Sequence, residues 1–175
     1  MIDPFIVPAK IKAAVPSIIR EAGRLILSRQ DQGLQFTEKS DKNFVTEIDL
    51  DVEQLIVRNL KALTPDYAVI TEEAAGNRFI YDRPTWILDP VDGTTNLMRN
   101  CRHSAISLAL AADGHLRQGY IFNPWLDELF AAESGGGARL NGRPIRSSQR
   151  SALSDCLVGF GTTPYERTDA HRTFV

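Results

Sequence analysis

Residues 86–97, Trp86-Ile87-Leu88-Asp89-Pro90-Val91-Asp92-Gly93-Thr94-Thr95-Asn96-Leu97, set a short apolar run against two carboxylates and a Gly-Thr-Thr step. The apolar run predicts a buried strand over Trp86–Leu88 that delivers Asp89 to its carboxyl end. Pro90 has no N–H to donate and is expected to stop the ladder there. Asp92 follows within one turn. Gly93 lets the backbone approach a ligand closely, and Thr94-Thr95-Asn96 reads as a helix start whose free N–H groups face an anion. Two hard oxygen ligands beside an anion-sized site are what a Mg²⁺-dependent phosphoryl enzyme needs.

Upstream of this stretch the pattern is helical. Ile11, Val15, Ile18, Ile19, Ala22, Leu25 and Ile26 recur at helical spacing, with Pro8 suited to the first turn, Gly33 to a stop and Pro16 to a bend. A second amphipathic helix is predicted from about Glu47 to Leu63, where Val52, Leu55, Ile56, Leu60 and Leu63 form one apolar face before Thr64-Pro65-Asp66. Its first turn carries Glu47, Asp49 and Asp51, acids that also suit the positive end of a helix dipole.

Beyond residue 67 the pattern shortens to strands: Ala68–Thr71, Trp86–Leu88, Ala105–Ala111, Leu116–Phe122, Leu129–Ala132, Ala138–Leu140 and Leu157–Phe160. Asp113-Gly114 between apolar runs signals a hairpin, and Asn141-Gly142 signals another turn. Two helices followed by consecutive strands give an α+β domain, two N-terminal helices packed on a mostly antiparallel sheet. One domain over residues 1–175 is the expected organisation.

Composition bounds the partners. The chain has 175 residues, 43% apolar and 24% charged, enough for a sizeable core. Twenty Lys plus Arg against 22 Asp plus Glu leave a net charge of −2, so no global basic field argues for nucleic acid. No run approaches the roughly 20 apolar residues that span a bilayer, so no membrane partner is expected. Cys101 and Cys156 have no Cys-x-x-Cys spacing, and the first thirty residues lack a secretory pattern, which points to the cytoplasm.

Three acidic groups belong together. Glu72 and Glu73 follow the strand Ala68–Thr71, Asp89 and Asp92 follow Trp86–Leu88, and Asp49 closes Val45-Thr46-Glu47-Ile48-Asp49. If the two strands are neighbours, Glu72 and Asp89 emerge at one sheet edge. Singly, each acid is explained as well by a solvated surface or a helix start. His103, His115 and His171 share no ligand-like spacing and read as surface or core-edge residues. Lys39 and Lys42 read as solvated loop lysines that could also attract anions.

Val45-Thr46-x-x-Asp49, Glu72-Glu73 and Asp89-Pro90-Val91-Asp92-Gly93-Thr94-Thr95, in that order, resemble the inositol monophosphatase family of Mg²⁺-dependent, typically lithium-sensitive phosphatases. The resemblance implies the N-terminal part of an αβαβα sugar-phosphatase fold. It implies that Glu72, Asp89 and the Val91 carbonyl hold the first Mg²⁺, that Asp89 and Asp92 serve a second, and that a weaker third leans on Glu72. Asp49 and Thr94 would orient and deprotonate the attacking water, with Glu72 part of the catalytic set, while Gly93, Thr94 and Thr95 would hold the phosphate. The reaction would be in-line hydrolysis of a small phosphate monoester without a phosphoenzyme, by a protein that the family resemblance favours as a homodimer. Glu73 should point elsewhere, and Asn43 stands where the family often has Asp.

Two departures qualify that reading. Haloacid-dehalogenase-like enzymes need a nucleophilic Asp two residues before the second; here that position is Pro90, which argues against a phospho-aspartate. Family members continue for roughly another 80 to 100 residues, a typical αβ layer, and that part carries a Trp-Asp step. No Trp-Asp dipeptide occurs here, since Trp86 precedes Ile87 and Trp125 precedes Leu126. The expectation is an N-terminal portion with the C-terminal αβ layers missing. The alternative to a phosphatase is therefore a truncated, non-catalytic remnant or scaffold that binds metal and phosphate without turnover.

Overall fold

The computed structural model describes residues 5–30, 36–40, 43–72 and 82–159. Helix α1 is Ala9–Gln30; β1, Phe36–Ser40, and β2, Asn43–Thr46, form an antiparallel pair ahead of helix α2, Glu47–Leu63. Then come β3 (Ala68–Thr71), β4 (Thr85–Asp92), the short helix α3 (Thr94–Met98), β5 (Ala105–Ala112), β6 (His115–Asn123), β7 (Glu128–Glu133), β8 (Gly137–Leu140) and β9 (Arg143–Ile145). Strands β3 to β9 lie in sequence order in one seven-stranded sheet. Only the β3–β4 pair is parallel among these neighbours; the others are antiparallel.

The apolar alternation explains the layers. Trp86 and Leu88 pair with Leu110 and Leu108, and Leu108 and Ile106 pair with Tyr120 and Phe122, so one face presents a continuous apolar surface. Both long helices cover it, α2 against β4 and α1 against β6, with their buried stripes in one core. Gly23 is what allows α1 to sit close to β6: a Cβ there would fall 2.3 Å from Cε1 of Phe122. Trp86 is wholly buried, and its Nε1 donates to Thr64 Oγ1 at 3.0 Å just past the end of α2, which fixes helix against strand.

The α+β expectation with its mostly antiparallel sheet holds, and the ends of α2 and β3 fall where the periodicity puts them. Several details differ. Pro90 does not end the ladder, because β4 accommodates it in a bulge and pairs again at Asp92. The β1–β2 hairpin and β9 occupy stretches with no apolar alternation, and β9 tolerates Pro144 because it is an edge strand. As expected, helix α1 includes Pro16, and the Pro8 carbonyl accepts from the amides of Ile11 and Lys12 at its start. Residues 157–159 form no strand. The readings on Gly33, Lys42, Glu73, Phe160 and His171 lie outside the described residues, as does the side chain of Lys39. No helix among the described residues is long and apolar enough to cross a membrane.

Candidate functional site

The parallel β3–β4 pair brings the acids together. Thr71 registers with Leu88, and the Glu72 amide donates to the Leu88 carbonyl at 3.1 Å, so Glu72 and Asp89 leave the sheet side by side. The bulge then decides where Asp92 goes. In a regular strand residues three apart point to opposite faces. Here Asp89 pairs with Ser107 and Asp92 with Ala105, so three residues of β4 span two of β5. The bulge takes the extra residue out of the ladder and leaves both carboxylates on the face away from Leu88 and Leu108.

Electrostatics at this corner are unfavourable without a counter-charge. Burial, the Glu72 and Asp92 carboxylates and a hydrogen bond shared with Glu72 push Asp89 up to about 7, against a smaller opposing effect from the Val91 amide. That amide donates to Asp89 Oδ1 at 3.1 Å. Glu72 and Asp92 are exposed, so ligands can reach them.

Asp49 approaches from the core side. It sits in the first turn of α2 and is only 1% exposed, yet it contacts a residue 45 positions away. Thr94 Oγ1 lies 3.0 Å from Asp49 Oδ1 and 3.1 Å from the Val91 carbonyl oxygen, so its single proton has two acceptors. Gly93, at φ 86° and ψ 42°, makes the left-handed turn that points Thr94 at Asp49. Thr95 is exposed at the same helix start.

The structure thus gathers Asp49, Glu72, Asp89, Val91, Asp92, Gly93 and Thr94 within one corner, with Thr95 at its rim. Among the described residues no three His, Cys, Asp or Glu side chains are preassembled as a metal cage. The acids instead approach in pairs, Glu72 with Asp89 and Asp89 with Asp92. An all-oxygen, mutually repelling donor set of this kind suits a hard divalent cation. His103 contributes only its backbone, accepting from Asn96 Nδ2 at 2.8 Å, and His115 Nδ1 lies 2.7 Å from the Asp113 carbonyl oxygen. Neither histidine joins the acids. Ser104, whose hydroxyl donates to the Gly93 carbonyl at 2.8 Å, was not signalled by any sequence motif; a polar residue opening an apolar strand was the only hint.

Helices on one face of a mixed sheet, with an Asp-x-x-Asp-Gly-Thr-Thr turn at the end of its parallel pair, define the class of α+β domains built like the solved SuhB proteins. The extragenic suppressor protein suhB from Bartonella henselae superposes with a TM-score of 0.79 at 33% identity, over 85% of this chain and 58% of that one. The chain belongs to the inositol monophosphatase family, whose model matches residues 9–174. It is 40% identical over 131 residues to an inositol-1-monophosphatase of Rhizobium meliloti, covering 75% of this chain and 49% of that relative. It is 36% identical over 156 residues to the Nus factor SuhB of Xylella fastidiosa, covering 87% and 55% respectively. The chain therefore spans about half the length of the curated relatives it matches.

Proposed function

We propose that this chain supplies the metal-binding and water-activating part of a Mg²⁺-dependent phosphatase that hydrolyses a small phosphate monoester of the inositol monophosphate kind. The observation that carries the reading is the Thr94–Asp49 contact beside the crowded acids Glu72, Asp89 and Asp92. Glu72, Asp89, the Val91 carbonyl and Asp92 would hold two to three ions, with Asp89 shared. When bound, Mg²⁺ supplies positive charge to the phosphate oxygens and makes a bound water more acidic.

The chain's own groups do the rest. Asp49, held in the core by α2, keeps the Thr94 hydroxyl oriented; that oxygen can take a proton from water while its own proton passes to Asp49. Glu72 stands on the exposed side, where it can hold the same water in place. Gly93, Thr94 and Thr95 offer amide and hydroxyl donors to the phosphate oxygens. Water attacks phosphorus in line with the departing alkoxide, and no protein side chain is phosphorylated. The identity to an inositol-1-monophosphatase favours a polyol phosphate as the substrate class.

The likeness to a protein named Nus factor SuhB favours a second reading, in which the same corner binds metal and phosphate without turnover. Phosphate release from inositol monophosphate with Mg²⁺, measured on the chain and on Asp89→Asn, separates the two. The phosphatase reading expects Mg²⁺-dependent release that Asp89→Asn abolishes, and release that survives the substitution would sink it. Mg²⁺ binding by calorimetry without release would favour the scaffold.

A further inference from the structure

Ser104 immediately precedes β5 and is 4% exposed. The Gly93 carbonyl that accepts its hydroxyl also accepts the amides of Asn96 at 2.8 Å and Leu97 at 3.1 Å. Three donors therefore hold the carbonyl of one left-handed residue. A second stitch runs the other way, from Asn96 Nδ2 to the His103 carbonyl at 2.8 Å. The space between is closed: a Cβ on Gly93 would lie 3.2 Å from Asn96 Nδ2, 3.2 Å from the His103 oxygen and 3.3 Å from Ser104 Oγ.

This arrangement matters because Gly93 is the only residue between Asp92 and Thr94. Glycine visits positive and negative φ with similar ease, so the identity of the residue does not fix the direction in which Thr94 emerges. Two of the three donors belong to α3 and move with it. Ser104 is the one donor anchored elsewhere, next to Ala105, whose register partner is Asp92. Its hydrogen bond ties the turn to the sheet.

We propose that Ser104 is a positioning residue for the Asp49–Thr94 pair: by holding the Gly93 carbonyl it keeps the Thr94 hydroxyl within 3.0 Å of Asp49 Oδ1. The proposal rests on the phosphatase reading for its functional meaning, but its geometry stands apart from it. Without the Ser104 hydroxyl, the Gly93 peptide gains freedom and Thr94 spends less time on Asp49. A hydroxyl that served only to satisfy its own burial would leave Thr94 where it is.

The test compares the chain with Ser104→Ala in two measurements. Hydrogen exchange at the amides of Asn96 and Leu97, which share the Gly93 carbonyl, should accelerate by about tenfold, the worth of one hydrogen bond, while amides in α1 and β6 stay within twofold. Inorganic phosphate binding in the presence of Mg²⁺ should weaken by about tenfold, with Mg²⁺ binding alone within twofold. Unchanged exchange at Asn96 and Leu97, or equal acceleration throughout the core, overturns the proposal, as does unaltered phosphate affinity in a variant that exchanges faster. If the parent chain binds no phosphate with Mg²⁺, the phosphatase reading fails instead. Ser104 is then decided by the exchange data and by a thermal-stability cycle with Thr94→Val: a double variant that loses less than the sum of the singles supports coupling, and additivity overturns it.

Discussion

Two corners of this molecule use left-handed turns to opposite electrostatic ends. At one, Asp127 and Asn141 take positive φ, 49° and 48°, and close the β6–β7 and β8–β9 connections. Asn141 Oδ1 accepts the Leu129 amide at 3.0 Å and Arg20 Nη2 at 2.8 Å, and its Nδ2 donates to the Asp127 carbonyl at 2.7 Å. The Arg20 guanidinium also pairs with the Asp127 carboxylate and lies 5.3 Å from the centre of the Phe122 ring. The charges of Arg20 and Asp127 meet as complements there. At the other turn, Gly93 follows three carboxylates that repel one another. Where charges complement, a left-handed turn closes the fold; where they conflict, it presents a site whose balance a cation must complete.

Substitutions at the two corners test that contrast. The largest stability loss is expected from Asn141→Ala, which strips an acceptor from the Leu129 amide and from Arg20. Denaturant unfolding should show a loss of about 2 kcal/mol, with Mg²⁺ affinity unaltered. A loss below about 0.5 kcal/mol would mean that the hub is ornamental. Gly93→Ala should cost about 1–2 kcal/mol, because its φ of 86° is left-handed and its new Cβ meets the tight contacts described above. Unlike Asn141→Ala, it should also weaken phosphate binding with Mg²⁺, and equal effects of the two variants on binding would erase the distinction between the turns.

Asp89→Asn should act in the reverse direction on the metal-free fold. A carboxyl raised from 3.8 to about 7 on folding gives stability that is fully present at low pH and is lost as pH rises through about 7. Melting temperatures of the metal-free chain should therefore fall between pH 4 and about 7, and Asp89→Asn should flatten that slope. Added Mg²⁺ should raise the melting temperature of the parent at pH 8 and leave the variant unmoved. A steeper slope in the variant would contradict the crowding. The smallest effect belongs to Gly119→Ala in β6, where a Cβ would have nothing within 4 Å; a change within about 0.5 kcal/mol is expected.

Much of this was legible in the chain. Helix α2 and strand β3 have the bounds that periodicity assigns, because the turn residues Thr64-Pro65-Asp66 separate them. The acids and the Gly-Thr-Thr step could be chosen as candidates because residue type and spacing carry their chemistry. What could not be read was anything decided across the sheet. Strands β1 and β2 are short and lack apolar alternation, and α3, which β2 meets, lies almost fifty residues further along the chain. The behaviour of Pro90 depended on whether β5 would tolerate a bulge. Ser104 has no motif; it acquires its role from the carbonyl that folding puts beside it.

The bulge at Pro90 and Val91 has a further consequence. Because Asp89 and Asp92 are three residues apart yet share a face only through the bulge that absorbs the surplus residue, the site depends on a count as well as on identities. Replacing Pro90 by another residue leaves the count intact, whereas deleting either Pro90 or Val91 would straighten the ladder: Asp92 would keep the face of Asp89, but the bulged peptide that offers the Val91 carbonyl to Thr94 would be gone, with every acid still present in the sequence. For this corner of the molecule a missing letter is a graver error than a wrong one.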